Sequence, residues 1–452
     1  AVKKVERRAM VCAILALVLA AGLGLFLVRY VTQGGKWVSA AFNRHLYNTE
    51  GVLMTGAVLD RDGDILSDIT ENGKRTYYDS EGVRKATLHA VGDLQGSIGT
   101  GALNAFANKL TGWNLFTGAS GSRRNLYLTI DARYNYEAWQ ALNGRAGTAA
   151  VYNYKTGEVL CMVSSPTYDP LNVPDDIETN DRYKGAYLNR FLSAAFTPGS
   201  VYKTVTLAAA LENIPDLESR TWTCSGSTII NGEPITCSGT HGEQHIGDAF
   251  ANSCNVAFAQ IAVALGTDAL SEATEQAGLT ASYDLDGLPT AKGAFSWEGM
   301  TGNRLAWAGV GQDQDLVNPC GLMVYMGAIA NGGKAARPYL ILKTEGLLPA
   351  LPRVTRQTGT LVKSGTAEKL AELLSENVTK TYGAERFPNM DLCAKSGTAE
   401  VGEGSPHAWF AGFLRNPDAP YAFVVLVEHG GGGNSVAGTI AGKILDVIVN
   451  GY

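Results

Sequence analysis

The chain has 452 residues, 45% of them apolar and 18% charged, a balance that belongs to a folded protein and excludes a disordered one. The length allows about two or three domains. A net charge of -6, with no basic run beyond the N-terminal residues, gives no footprint for nucleic acid, and none is expected as a partner.

Lys3, Lys4, Arg7 and Arg8 precede Met10–Val28, a stretch of 19 residues without a charge. At about 1.5 Å per residue it reaches across a hydrocarbon core of about 30 Å. Only Arg29 and Lys36 follow closely, so the positive-inside rule predicts a cytoplasmic N-terminus and an extracytoplasmic remainder. A cleaved signal peptide is the rival, but the run is long for one and no clear A-x-A site follows. The expected division is a cytoplasmic tail at 1–9, a transmembrane helix at 10–31, a small N-terminal domain at 32–145 and a catalytic domain at 146–452.

Residues 32–50 read as a helical continuation of the span. From Thr55 to Leu128 the pattern is mixed, with a short strand at Gly56–Asp60 and a Gly-rich segment at Gly92–Gly99. Asp60, Asp62, Asp64 and Glu71 have the spacing of a calcium loop, but Ile65 stands where its turn needs glycine, so a hairpin is expected instead. Ala149–Tyr154 and Val159–Val163 read as strands joined at Lys155–Gly157. Helical patterns dominate from 200 to 276. Within them, Cys224 and Cys237 flank a polar loop of 12 residues that reads as a hairpin. An extracytoplasmic compartment permits a disulfide between these two, and two reduced thiols are the alternative. Cys161, Cys320 and Cys393 lie in apolar runs that read as buried. His241 and His245 do not form H-E-x-x-H, and their polar, Gly-containing segment reads as a surface loop. No metal and no cofactor are expected. Strand-like runs return at 407–414 and 421–428, after which Val436–Val449 forms a last helix. Strands at both ends of this region with helices between them imply an α+β fold, an antiparallel sheet flanked by helices.

The chemistry begins at Ser200-Val201-Tyr202-Lys203, which follows Thr197-Pro198-Gly199 and opens an apolar helical run. Residues three apart share a helix face, so the Lys203 amine can reach the Ser200 hydroxyl and take its proton. Ser253-Cys254-Asn255 and Lys395-Ser396-Gly397-Thr398 follow in order. The sequence Lys-Ser-Gly-Thr-Ala-Glu occurs twice, at 363–368 and 395–400. The first copy runs into a helical pattern, with Ser364 or Thr366 as a cap. The second follows Leu392-Cys393-Ala394 and leads through a Gly-rich turn into an apolar run. That reads as a hairpin, so Lys395 is assigned to the site. Gly430–Gly433 reads as a flexible loop beside the cleft, not a phosphate cradle, because Gly442-Lys443 is followed by Ile444.

The ordered set S-x-x-K, S-x-N and K-[ST]-G resembles the penicillin-binding proteins and serine β-lactamases. The flanks Phe196–Ser200, Ala251–Phe258, Gly311-Gln312 with Asn318-Pro319, and Ser165–Pro170 look like a class B penicillin-binding protein, over roughly residues 55–450. The resemblance implies a transmembrane helix, a pedestal domain and a serine D,D-transpeptidase domain that cross-links peptidoglycan stem peptides and is acylated by β-lactams. It implies Ser200 as nucleophile and Lys203 as general base. Ser253 would carry a proton to the leaving amine, Asn255 would hold Lys203, and Lys395 would supply positive charge. Ser396, Gly397 and Thr398 would bind substrate, and the N–H groups of Ser200 and Thr398 would form the oxyanion hole. A membrane glycosyltransferase of the SEDS family is the implied partner. A hydrolytic D,D-carboxypeptidase or β-lactamase is the first alternative, and a non-catalytic scaffold or β-lactam sensor the second. The sequence does not choose between division, elongation and sporulation.

Overall fold

The structure, a computed structural model, describes residues 2–38, 43–118, 121–345 and 353–451. Helix α1 (Val2–Gln33) buries none of its residues. It ends at Gln33, and a 3-10 turn at Gly34–Trp37 and another at Arg44–Leu46 replace the helical continuation expected over 32–50. Residues 39–42 of that stretch lie outside the described residues. Gly34 and Gly35 explain the stop, since consecutive glycines carry the highest entropic cost in a helix. Tyr30 ties the end of α1 to the next domain: its hydroxyl donates to Leu115 O at 3.1 Å, and its ring lies 6.4 Å from both Trp37 and Trp113.

The N-terminal domain is built on β1 (Val58–Leu59), β2 (Ile65–Ile69) and β3 (Arg75–Tyr77), then α2 (Glu81–Val91) and β4 (Leu126–Leu128). β1 and β2 form the expected hairpin. Its turn is closed by Asp60, whose Oδ1 accepts the backbone N–H groups of Asp62, Gly63 and Asp64 at 2.9 to 3.0 Å. The sheet is not made from 32–145 alone. A fifth strand arrives from far along the chain and pairs antiparallel with β4, giving the order 341–344, β4, β1, β2, β3. The two domains are therefore laced together by backbone hydrogen bonds.

Helix α3 (Ala132–Leu142) starts at Asp131, which accepts the N–H groups of Arg133 and Tyr134 as an N-cap should. The rest of the chain follows as β5 (Gly147–Asn153), β6 (Val159–Ser165), α4 (Lys203–Asn213), α5 (Asn255–Gln276), α6 (Pro319–Ala330), β7 (Ile341–Thr344), α7 (Ser364–Asn377), β8 (Leu392–Ala399), β9 (His407–Leu414), β10 (Tyr421–Val427) and α8 (Thr439–Asn450). The catalytic sheet runs β8-β9-β10-β5-β6, antiparallel throughout. Every residue of β9 is buried, because helices cover both faces. Alternation divides the strand. Ala408 and Phe410 join the core with α3 and α8, while Trp409, Ala411 and Phe413 join the core with α6 and α7.

Helices dominate 200–276 as expected, interrupted by the short strands Trp222–Cys224, Ser227–Ile230, Glu233–Thr236 and Gly242–Gln244 in two small sheets. Ser227–Ile230 and Glu233–Thr236 form the hairpin expected between Cys224 and Cys237. Two other readings need correction. The segment between His241 and His245 is a strand paired with Trp222–Cys224, not the surface loop expected. The last helix also starts later than Val436, at Thr439, after a wider turn at Gly433–Gly438.

Candidate active site

Ser200 sits in a 3-10 turn, Gly199–Tyr202, that feeds directly into α4. The turn is fixed from two sides. Gly199 N–H donates to Gly311 O at 2.8 Å, and Trp409 Nε1 donates to Thr197 O at 2.9 Å. Gly199 has φ +55°, and a Cβ there would lie 2.8 Å from Thr398 O, so the Ser200 turn is pressed against β8 as only glycine permits.

Lys203 opens α4 and is fully buried. Its Nζ donates to Ser253 O at 2.6 Å, to Asn255 Oδ1 at 2.7 Å and to Ser253 Oγ at 3.3 Å. Lys395, on β8, is equally buried. Its Nζ donates to the same Ser253 Oγ at 3.0 Å and to Ser396 O at 3.1 Å. Ser253 therefore lies between two buried amines, in the left-handed region at φ +52°. That conformation is uncommon for serine and marks a backbone held by its surroundings. Among the described residues Ser200 and Lys203 are not hydrogen-bonded to each other, because the amine's donors go to Ser253 and Asn255.

Burial pushes the Lys203 amine down to about 7. Burial, then the nearby charge of Lys203, holds Lys395 well below its ordinary value. The first cause is desolvation: a charged amine loses its hydration when buried, so the neutral form gains. For Lys203 burial is the cause that lowers the value, and the nearby thiols Cys237 and Cys254 oppose it.

β8 is the edge of its sheet, which leaves half its backbone groups facing the cleft. Ser396 N–H points that way and donates to Tyr382 Oη at 2.8 Å, while Tyr382 Oη donates to Ser396 Oγ at 3.1 Å. The two-residue period turns the N–H of Thr398 to the same open side. Thr398 Oγ1 accepts from Gly433 N–H at 3.3 Å. Ser200, Ser253, Asn255, Gln312, Ser396 and Thr398 line one cleft of about 620 Å³. The three motifs thus meet, although long stretches of chain separate them.

The first Lys-Ser-Gly-Thr copy lies elsewhere. It opens α7, where Lys363 Nζ and Thr366 Oγ1 hold Glu212 at 2.7 and 2.9 Å. The cap position is Lys363, with no side-chain cap bond, so the capping role assigned to Ser364 or Thr366 is corrected. Cys161, Cys320 and Cys393 are buried, and all seven cysteines are free thiols, with no disulfide between Cys224 and Cys237.

A profile of the penicillin-binding protein transpeptidase domain matches residues 147–446. Over 373 residues the chain is 30% identical to the peptidoglycan D,D-transpeptidase PbpA of Mycolicibacterium smegmatis, covering 74% of each chain. This chain belongs to the class B penicillin-binding proteins. Among solved structures it resembles penicillin-binding protein A of M. tuberculosis in its ceftriaxone acyl-enzyme complex, with a TM-score of 0.74 and 25% identity over 87% of this chain and 97% of that one. It shares the fold of Helicobacter pylori PBP2, solved in complex with MreC, at a TM-score of 0.62 and 23% identity over 73% and 64% of the two chains.

For this penicillin-binding protein the sequence reading missed Tyr382. It lies in a wide helical turn after α7, is fixed edge-on against Phe410 at 5.3 Å, and carries both hydrogen bonds to Ser396. Its signal, a lone tyrosine before a glycine, is too short to find. Trp409 was read only as part of an apolar strand, yet its indole holds the turn before Ser200.

Proposed function

We infer that this class B penicillin-binding protein is a serine-type peptidoglycan D,D-transpeptidase. Two buried lysines converging on Ser253 Oγ in the cleft that holds Ser200 carry the reading. A neutral Lys203 takes the proton of Ser200 Oγ as that oxygen attacks the carbonyl of the penultimate D-Ala of a stem peptide. The N–H groups of Ser200 and Thr398 receive the developing oxyanion. Ser253 relays a proton to the leaving amine, and terminal D-Ala departs. Asn255 holds Lys203 in place. Lys395, with the hydroxyls of Ser396 and Thr398 at Gly397, receives the substrate's terminal carboxylate. An amine of a second strand then attacks the acyl-enzyme. A β-lactam enters the first half of this path and stays bonded to Ser200.

The N-terminal helix is long and apolar enough to cross a membrane. The charge pattern around it supports a cytoplasmic N-terminus and an extracytoplasmic catalytic domain. The helix and pedestal fit a membrane partner, and a SEDS-family glycosyltransferase would supply the strands that the transpeptidase domain cross-links.

Mass spectrometry after penicillin treatment tests the assignment. The expected result is addition of the whole drug to the peptide containing Phe196–Lys203, absent in Ser200→Ala. Label on Ser364 or Ser396 with Ser200 free would overturn it. Incubation with a stem-peptide donor and acceptor should yield the cross-linked dimer; release of hydrolysed donor alone would make the enzyme a carboxypeptidase.

A further inference from the structure

Cys254, the middle residue of the S-x-N motif, has three neighbours that the transpeptidase chemistry does not use. One ligand atom from each of Cys224, Cys237, His241 and Cys254 can be chosen so that all four lie within 4.8 Å of one another. Cys237 Sγ is 3.9 Å from Cys254 Sγ and 3.6 Å from His241 Nδ1. With metal–sulfur and metal–nitrogen bonds of about 2.3 and 2.0 Å, the edges of a tetrahedron are about 3.8 Å between sulfurs and about 3.5 Å from sulfur to nitrogen. The two separations in the structure match those edges. A disulfide needs its sulfurs at about 2.05 Å, so closing one here would move them much further than closing on a metal.

We propose that Cys224, Cys237, His241 and Cys254 form a four-coordinate zinc site that staples the insert 222–245 to the S-x-N motif. The ligand set has the spacing C-x12-C-x3-H-x12-C. Three sulfurs and one imidazole are the donors zinc takes in closed structural sites. The surrounding backbone suits thiolates. Asn255 N–H points at Cys237 Sγ at 3.2 Å, and Ala257 N–H points at Cys254 Sγ at 3.5 Å. Such N–H donors support a ligand's charge. Cys224, whose thiol donates to Gly239 O at 3.5 Å, gives up that proton on ligation, as do the other two thiols, so the uptake of one Zn²⁺ releases three protons from three S–H groups.

The insert also needs a staple. Of residues 222–245 only Trp222, Cys224, Ile235 and Gln244 are buried. Two-stranded sheets with so little apolar cover are marginal by themselves. Yet the insert positions the catalytic machinery. Asn255 Nδ2 donates to Thr236 O at 2.9 Å, and Asn255 Oδ1 holds Lys203 at 2.7 Å. The metal would thus fix, through Cys237 and Cys254, the backbone on either side of Asn255. Its ligands are positioning residues and do not touch substrate.

The test is metal analysis of the full-length protein purified in detergent under reducing, anaerobic conditions. Equimolar zinc is expected after reconstitution, removable by a chelator. Cobalt in its place should give thiolate-to-metal charge-transfer absorption and the intense visible bands of a four-coordinate ion. Cys224→Ser and Cys237→Ser should lose the metal; His245→Ala, whose imidazole faces Arg220 O at 3.1 Å, should keep it. Because a ligand variant can fail to fold, the cobalt spectrum of the wild type decides independently. Chelation should lower the penicillin acylation rate at least tenfold, and zinc should restore it. Three outcomes would overturn the proposal: no bound metal with all thiols titratable, a Cys237–Cys254 disulfide peptide in the freshly purified protein, or a cobalt spectrum without thiolate bands. The metal readouts do not depend on transpeptidation, so this proposal and the functional one fail separately.

Discussion

In the proposed mechanism Lys203 is the residue whose environment most directly sets the rate. Its amine, held near 7 by burial, would accept the Ser200 proton only when neutral. The penicillin acylation rate should therefore rise about tenfold per pH unit below that value and level off above it, as stopped-flow measurement will read. Lys203→Arg, charged at every accessible pH, should abolish acylation across the whole range. Asp315 makes the opposite case. It is 1% exposed, both its carboxyl oxygens lack a hydrogen-bond partner among the described residues, and burial, then Asp313, pushes its carboxyl up to about 8. The folded value lies above the ordinary 3.8, so the stability tied to the protonated carboxyl is whole below that pH and is lost as pH rises through about 8. Asp315→Asn removes the ionisation. It should stabilise the protein by about 1–3 kcal/mol at neutral pH, a gain that shrinks toward pH 4 in thermal denaturation. A gain independent of pH would place the effect in packing instead.

The β8–β9 hairpin shows how one element converts a short motif into a site. Edge position frees the N–H groups of Ser396 and Thr398, and Tyr382 takes one of them. The same six residues at 363–368 have no such edge and become a helix start, its lysine paired to Glu212 with a side chain 67% exposed. Lys395→Ala should lower acylation by about 10²-fold or more, and Lys363→Ala should leave it within twofold or so, since exposed pairs contribute little. Equal losses would mean that the wrong copy was chosen. Tyr382→Phe should cost about tenfold through the lost hydrogen bonds to Ser396. Gly433→Ala should be worse, because its Cβ would lie 2.3 Å from Gly397 O and 2.8 Å from Trp409 O and displace β8.

At the scale of the whole molecule, an exposed apolar helix is joined to a two-part body. No residue of α1 is buried, and a side chain at Gly24 would meet nothing within 4 Å. Ala20 and Gly24 share a face that permits close approach of another helix. Replacing both with Ile should weaken co-purification of a SEDS-family polymerase and leave penicillin binding intact; unchanged recovery would remove this face from the interface. The S-x-x-K, S-x-N and K-S-G-T motifs, the long apolar N-terminal helix, the sheet strands and the strand setting of the second K-S-G-T copy were legible along the chain. They depend on local matters: hydrophobic period, turn residues, and side-chain chemistry in a fixed order. Other features depend on contacts between distant segments, which local pattern does not carry. The strand Ile341–Thr344 enters the pedestal sheet because β4 offers it an edge. The depression of Lys203 needs a cavity closed by α5 and β8. Tyr382 meets Ser396 only after α7 has turned back on the sheet. Sequence reading weighed His241 against His245 and Cys224 against Cys237, each with its near neighbour. Only the tertiary structure gathers His241, Cys224 and Cys237 around Cys254, because burial and backbone pairing across the insert, not spacing, decide which donors share a centre.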